Sequence, residues 1–298
     1  MCDRVTLVEV GPRDGLQNEP RPVPPAERAR LVDALAAAGL TFVEAGAFVS
    51  PKAVPQMAGS AEVLSALTPR TGVRYPVLTP NWKGYEAARA AGARDVAIFG
   101  AASETFCQKN TNCSIAESFD RFVPIMEAAK RDGIAVRGYV SCVLGCPYEG
   151  DVPIARVVEV ATRLYEMGCY EISLGDTIGV GTARAARELV RTLKDVMPVG
   201  MLAAHFHDTY GQALANLYAC LEEGVRVVDT SVAGLGGCPY APGASGNVAT
   251  EDVLFMLNGL GMETGVSLDA VIEIAASISQ TLGRPPASKT ARALLAKH

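Results

Sequence analysis

The sequence predicts an α/β fold, a (β/α)8 TIM barrel with additional C-terminal helices. Three observations carry this. Short apolar, β-branched runs alternate eight times with longer stretches of helical period. The runs are apolar throughout rather than alternating with polar residues, as in strands buried on both faces of a parallel sheet. The chain has 298 residues, room for a barrel of roughly 250 residues and an extension. Eight strand-then-helix units favour a closed barrel over an open, doubly wound sheet.

The elements follow in order. VTLVEV (5–10) opens the chain, and a helix is expected over 24–38, with Pro suited to its first turn and Gly39 as its stop. TFVEA (41–45) precedes a helix near 57–67, VRYPVL (73–78) one at 82–91, and DVAIFG (95–100) one at 115–132. IAVRGYVS (134–141) leads to 153–167, CYEISLG (169–175) to 183–196, and VGMLAAHF (199–206) to 211–222. VRVVDTSV (225–232) runs into a Gly-rich loop and a helix at 250–260. Gly92, Gly133, Gly168 and Gly224 repeat the stop signal of Gly39. Residues 263–298 read as one or two further helices, broken by GRPPAS (283–288). A single catalytic domain is expected over 1–298, the barrel occupying about 1–262.

The net charge is −5 and the pI near 5.4. Such a chain has no long-range attraction to nucleic acid or to an anionic membrane. An anionic substrate needs a local cluster of Arg and Lys instead. The start, MCDRVTLVEV, holds no signal-peptide apolar region. No uncharged apolar run reaches the roughly 18 residues of a membrane span. The eight cysteines do not follow a small disulfide scaffold, and Cys142 and Cys146 have no His beside them to complete a zinc site. A cytoplasmic protein with reduced thiols is expected.

In such barrels the chemistry sits at the C-terminal ends of the strands. GPRDGLQNE (11–19) puts Arg13 and Asp14 just past the first strand, and Glu44 ends the second. Asp176 follows the sixth strand, and the seventh ends in His205 and His207, two of only three histidines. GLGGCPYAPGASGN (234–247), after the eighth strand, holds Cys238 and Asn247. Residues i and i+2 of a strand point to the same side, roughly 6.5 Å apart, so two imidazoles can converge there on one metal ion. Asp14 and Asn247 stand at other strand ends to add oxygen ligands. A mixed N/O set suits octahedral Mg²⁺ or Mn²⁺ better than a thiolate zinc site. Taken singly, Asp14 reads equally as a turn residue, Arg13 as a surface ion pair and Asp176 as a helix cap. Glu44 stands in a strand too apolar to hold a carboxylate without a partner. Cys238, in a Gly-rich loop beside such a cation, is suited to give or accept a proton. G-L-G-G lacks the spacing of a dinucleotide fingerprint.

Six blocks together resemble the 3-hydroxy-3-methylglutaryl-CoA lyase family: VEVGPRDGLQNE (8–19), FVSPKAVPQM (48–57), VSCVLGCPYEG (140–150), SLGDTIGVGT (173–182), HFHDTYGQALAN (205–216) and SVAGLGGCPYAPGASGNVATED (231–252). The resemblance runs in order from about residue 5 to about 260. It implies cleavage of the acyl-CoA thioester into acetyl-CoA and acetoacetate with a divalent cation, Mg²⁺ or Mn²⁺. It implies Asp14, His205, His207 and Asn247 as metal ligands. Arg13 is then the catalytic arginine, Cys238 the loop cysteine, and Glu44 and Asp176 acidic partners. The hydroxyl base is Asp14 or His205. A homodimer is also implied. The stretch EAGAFVSP (44–51) is plainer than the Thr/Ser-rich version of animal enzymes. A lyase for a longer branched glutaryl-CoA, of isohexenyl type, is the alternative. The condensing synthases of the superfamily carry a regulatory domain for which no room is expected here. For the CoA phosphates, Lys52, Lys83, Lys109 and Arg137 are candidates.

Overall fold

The computed structural model describes residues 3–237 and 246–297. The chain alternates as expected. Strand β1 (Thr6–Glu9) precedes α1 (Pro25–Ala37); β2 (Phe42–Val43) and β3 (Gly46–Ala47) precede α2 (Ser60–Ala66). Then come β4 (Val77–Leu78), α3 (Trp82–Ala90), β5 (Asp95–Ala101), α4 (Glu104–Thr111) and α5 (Ile115–Asp132). The second half runs β6 (Ala135–Ser141), α6 (Ile154–Glu166), β7 (Ile172–Asp176), α7 (Ala183–Lys194), β8 (Leu202–Phe206), α8 (Ala213–Glu222) and β9 (Val227–Thr230). Helices α9 (Thr250–Gly259), α10 (Leu268–Leu282) and α11 (Lys289–Leu295) complete it.

All strand pairs are parallel, in the order β2-β1-β9-β8-β7-β6-β5-β4-β3. The two ends of that list are halves of one barrel strand. Between them, Glu44 N donates to Glu9 O on one side (2.8 Å) and Ala45 N to Pro76 O on the other (2.9 Å). The ring therefore closes with eight strands, a TIM barrel.

The helix-facing side of the strands is apolar. Val136, Ile172, Leu174, Leu202 and Phe206 are buried there against helices such as α6 and α7, whose buried residues recur at helical spacing. The inward side differs. Arg137 and Tyr139 of β6, Ser173 of β7, His205 of β8 and Asp229 of β9 bond or stack on one another inside the ring. A barrel interior is usually packed with Val, Ile and Leu; this one is charged.

The five glycines named as helix stops all take positive φ, from 67° to 107°. Three local differences have physical causes. The run 73–78 keeps only Val77–Leu78 as strand, because Pro76 has no N–H to give to a ladder. Helix α4 was not expected; it is short and polar, and it starts where Ser103 Oγ accepts from Phe106 N at 3.1 Å. The stretch GPRDG (11–15) is a single π-helical turn rather than a loop. No described helix is long and apolar enough to cross a membrane.

The last two helices pack back onto the barrel. Ser267 N donates to Ala38 O at the end of α1, and Ala287 N to Ala233 O just after β9. Glu9 and Glu251 are buried beneath that same segment. Burial is the main cause that raises Glu9 to about 7 and Glu251 to about 8 from 4.5. A raised carboxyl holds its proton in the folded chain after the unfolded chain has released it. Its stabilisation is present below about 4.5 and is lost as pH rises through 7 and 8, at up to about 1.4 kcal/mol per pH unit for each group. Urea unfolding midpoints should therefore fall between about pH 5 and pH 9, and Glu251→Gln should flatten that fall. A variant as pH-sensitive as the parent would mean that no proton is stored at Glu251.

Candidate active site

The site begins with the π-helical turn after β1. The turn is tight against the segment after the neighbouring strand β9: a Cβ on Gly15 would stand 2.7 Å from Leu235 Cβ. Glu9 ties it down, accepting from Gly11 N (2.8 Å), Val232 N (2.9 Å) and Thr250 Oγ1 (2.7 Å). So placed, the turn aims Arg13 and Asp14 inward.

Arg13 is buried between two carboxylates. Its Nε donates to Glu44 Oε2 at 2.7 Å and its Nη1 to Asp14 Oδ1 at 2.6 Å. Its guanidinium lies 5.5 Å from the centre of the Tyr139 ring. Burial alone would lower the Arg13 pKa, but the charges of Glu44 and Asp14 more than offset this, and it is raised. Burial pushes the Glu44 carboxyl up despite Arg13, and its Oε1 has no partner. Asp14 also accepts from Gln17 Nε2 and Asn247 Nδ2, both at 2.8 Å. Burial would raise Asp14, yet Arg13, then His205 and His207, bring it below the usual carboxylate range. It stands as an anion.

His205 and His207 share the inward side at the end of β8, with ring centres 5.6 Å apart. His205 Nε2 faces Asp14 Oδ2 across 3.9 Å, while its Nδ1 lies 3.0 Å from Asp229 Oδ2. Burial, helped by His205, lowers His207 to about 4, so its imidazole is neutral. Its Nδ1 is buried without a partner. Asp14, His205 and His207 each offer a ligand atom within 4.8 Å of the others, and this is the one such group among the described residues. The donors fit a cation: an anionic carboxylate, a neutral imidazole with an orphaned nitrogen, and a second ring nitrogen facing the same space. A half-turn of the Asn247 amide would present its Oδ1 at the same place.

Asp176 ends β7 beside this cluster. It does not cap α7, whose cap is Thr182 Oγ1 accepting from Ala185 N at 3.3 Å. Instead Asp176 Oδ2 accepts from Gly181 N at 2.9 Å and holds the following turn. Its Oδ1 is buried without a partner, and burial raises it to about 6. Cys238 lies outside the described residues. The described ends of its segment close on each other: a Cβ on Gly246 would meet Gly236 C at 2.4 Å, so only glycine fits. The Cys142/Cys146 pair is buried with no metal-ligand group around it among the described residues.

One expectation is overturned. Arg137 does not serve a CoA phosphate, because its guanidinium is fully buried and already satisfied. It donates to Asp229 through Nη1 (2.9 Å) and Nη2 (2.6 Å), to Glu171 through Nε (2.6 Å) and to Tyr139 OH (2.7 Å). Lys52, Lys83 and Lys109 are exposed. Sequence reasoning missed Glu9, Asp229 and Glu171. A signal was present: each is a carboxylate within an apolar strand segment, the same oddity that singled out Glu44.

The model of the HMGL-like family matches residues 4–278. A 3-hydroxy-3-isohexenylglutaryl-CoA/hydroxy-methylglutaryl-CoA lyase of Pseudomonas aeruginosa is 60% identical over 294 residues, 99% of this chain and 98% of that protein. The mitochondrial hydroxymethylglutaryl-CoA lyase of Bos taurus is 61% identical over 290 residues, 97% of this chain and 89% of that protein. The crystal structure of hydroxymethylglutaryl-CoA lyase from Pseudomonas aeruginosa superposes with a TM-score of 0.98 at 59% identity, covering 100% of this chain and 99% of that one. With its barrel, its rim of charged residues and these relatives, the chain belongs to the HMGL-like family.

Proposed function

We propose that the chain is a carbon–carbon lyase that cleaves 3-hydroxy-3-methylglutaryl-CoA to acetyl-CoA and acetoacetate. The observation that carries this is the convergence of Arg13, Asp14, Glu44, His205, His207 and Asn247 at one mouth of the barrel, in a chain about as identical to named lyases as those above. Asp14, His205, His207 and Asn247 would hold a divalent cation, Mg²⁺ or Mn²⁺. When bound, it supplies Lewis-acid polarisation that makes the tertiary hydroxyl acidic.

The chain's own residues then have three tasks. The hydroxyl proton has to be accepted, and Asp14 and His205 Nε2 are the groups that face that space. Negative charge develops on the thioester oxygen as the bond breaks, and Arg13 answers it with a permanent cation held in place by Glu44 and Asp14. The enolate carbon finally needs a proton, which Cys238 supplies from the segment that Gly236 and Gly246 close off. Asp176 shapes the adjoining turn, and one of its oxygens is left without a partner.

A second reading has one observation in its favour. The printed name of the Pseudomonas aeruginosa relative covers both the methyl and the isohexenyl thioester. Steady-state rates with the two substrates separate the readings, and a clear preference for the long branch would replace the first. The cytoplasmic, dimeric, single-domain form belongs to the same proposal, and size-exclusion chromatography with light scattering reads the assembly state.

Four outcomes are expected. Acetoacetate release in a coupled assay should vanish with a chelator and return with Mg²⁺ or Mn²⁺; release that ignores the chelator would remove the cation. Arg13→Lys cannot reach Glu44 and Asp14 together, so kcat should fall about 10²–10³-fold. His207→Ala should weaken Mn²⁺ binding at least about 10-fold by calorimetry, whereas Cys238→Ser should retain the cation and lose most turnover.

A further inference from the structure

Asp229 has no part in the chemistry above, yet it touches a proposed ligand of the cation. It is fully buried inside the barrel and surrounded by donors. Arg137 Nη1 donates to its Oδ2 at 2.9 Å and Nη2 to its Oδ1 at 2.6 Å, while Ser173 Oγ donates to Oδ2 at 2.8 Å. The remaining neighbour of Oδ2 is His205 Nδ1, at 3.0 Å. A carboxylate paired with a guanidinium only accepts hydrogen bonds. The ring nitrogen facing it therefore carries the proton. In the neutral form that can bind a cation an imidazole has one N–H, so Nε2 is the nitrogen left to offer a lone pair. It faces Asp14 Oδ2 across 3.9 Å, wider than a hydrogen bond.

We infer that Asp229, locked by Arg137 and Ser173, is a positioning residue that sets the tautomer of His205, with the proton on Nδ1 and the Nε2 lone pair turned to the cation space. Partners of this kind orient metal-binding histidines and are commonly worth 10–100-fold in affinity. The inference rests on reading Asp14, His205 and His207 as a cation site. It also narrows the proton question. The Nδ1 proton would be held against Asp229 and the Nε2 lone pair would be given to the cation. His205 would then serve as a ligand and not as a relay.

The chain has only three histidines, His205, His207 and His298, so ¹⁵N imidazole labelling gives a spectrum that single variants assign. In the cation-free chain, at a pH high enough for the ring to be neutral, His205 should show a protonated, proton-coupled Nδ1 and an unprotonated Nε2. Asp229→Asn should disturb this pattern, because an amide nitrogen at either oxygen position meets an Arg137 N–H head-on. It should also weaken Mn²⁺ binding about 10–100-fold. If the variant fails to fold, the parent spectrum decides alone. A parent His205 protonated on Nε2, or a folded Asp229→Asn chain with unchanged Mn²⁺ affinity, would overturn the inference. Neither readout uses a thioester, so failure here and failure of the lyase reading are distinct.

Discussion

Two arginines inside the barrel keep its buried charges tolerable, and the rest of the site is arranged around them. Arg13 and Arg137 sit over the same Tyr139 ring, 5.5 and 4.9 Å from its centre. Between them they pair with four carboxyl groups: Glu44 and Asp14 on one side, Asp229 and Glu171 on the other. Ions buried without such pairing would cost several kcal/mol each. Two guanidinium groups against four carboxyl groups leave a surplus of acid in a dry interior. Burial pushes the Glu44 and Glu171 carboxyls up, against the pull of Arg13 and Arg137. The surplus has the sign that a divalent cation at Asp14 and the two histidines would offset.

The same charges explain why the interior is rigid. The polar residues of the barrel are held from several elements at once. Asp229 of β9 receives bonds from β6 and β7 and lies against β8. On the helix-facing side, Glu9 of β1 receives bonds from the turn after its own strand, from the segment after β9 and from α9. A network satisfied in this way leaves little freedom to its members. The groups that carry proposed chemistry sit on its rim, where one atom of each lacks a protein partner: Glu44 Oε1, Asp176 Oδ1 and His207 Nδ1.

Much of this was legible in one dimension. The alternation of apolar runs with helical period located every barrel strand, because burial on both faces leaves a run without polar interruption. It failed at 73–78, where a proline removes ladder bonds, and at 104–111, where a helix too polar to show a stripe depends on its Ser103 cap. The rim residues were found because a βα unit tells which end of a strand is chemical. Glu9, Asp229 and Glu171 were not, although they break apolar strands as Glu44 does, and Arg137 was read for a phosphate.

By itself the sequence determined the barrel, the end of it that carries reactive groups, and the His-x-His pair that a strand must present on one side. All of these depend on period and chain order, which are local. Only the tertiary structure decided the partners: that Arg13 belongs to Glu44, that Arg137 is spent on Asp229 and Glu171 instead of a phosphate, and that Asp229 stands behind His205. Those pairs join residues separated by 24 to 92 positions. Their pairing follows from the stagger of neighbouring strands around a closed ring, which no single strand contains.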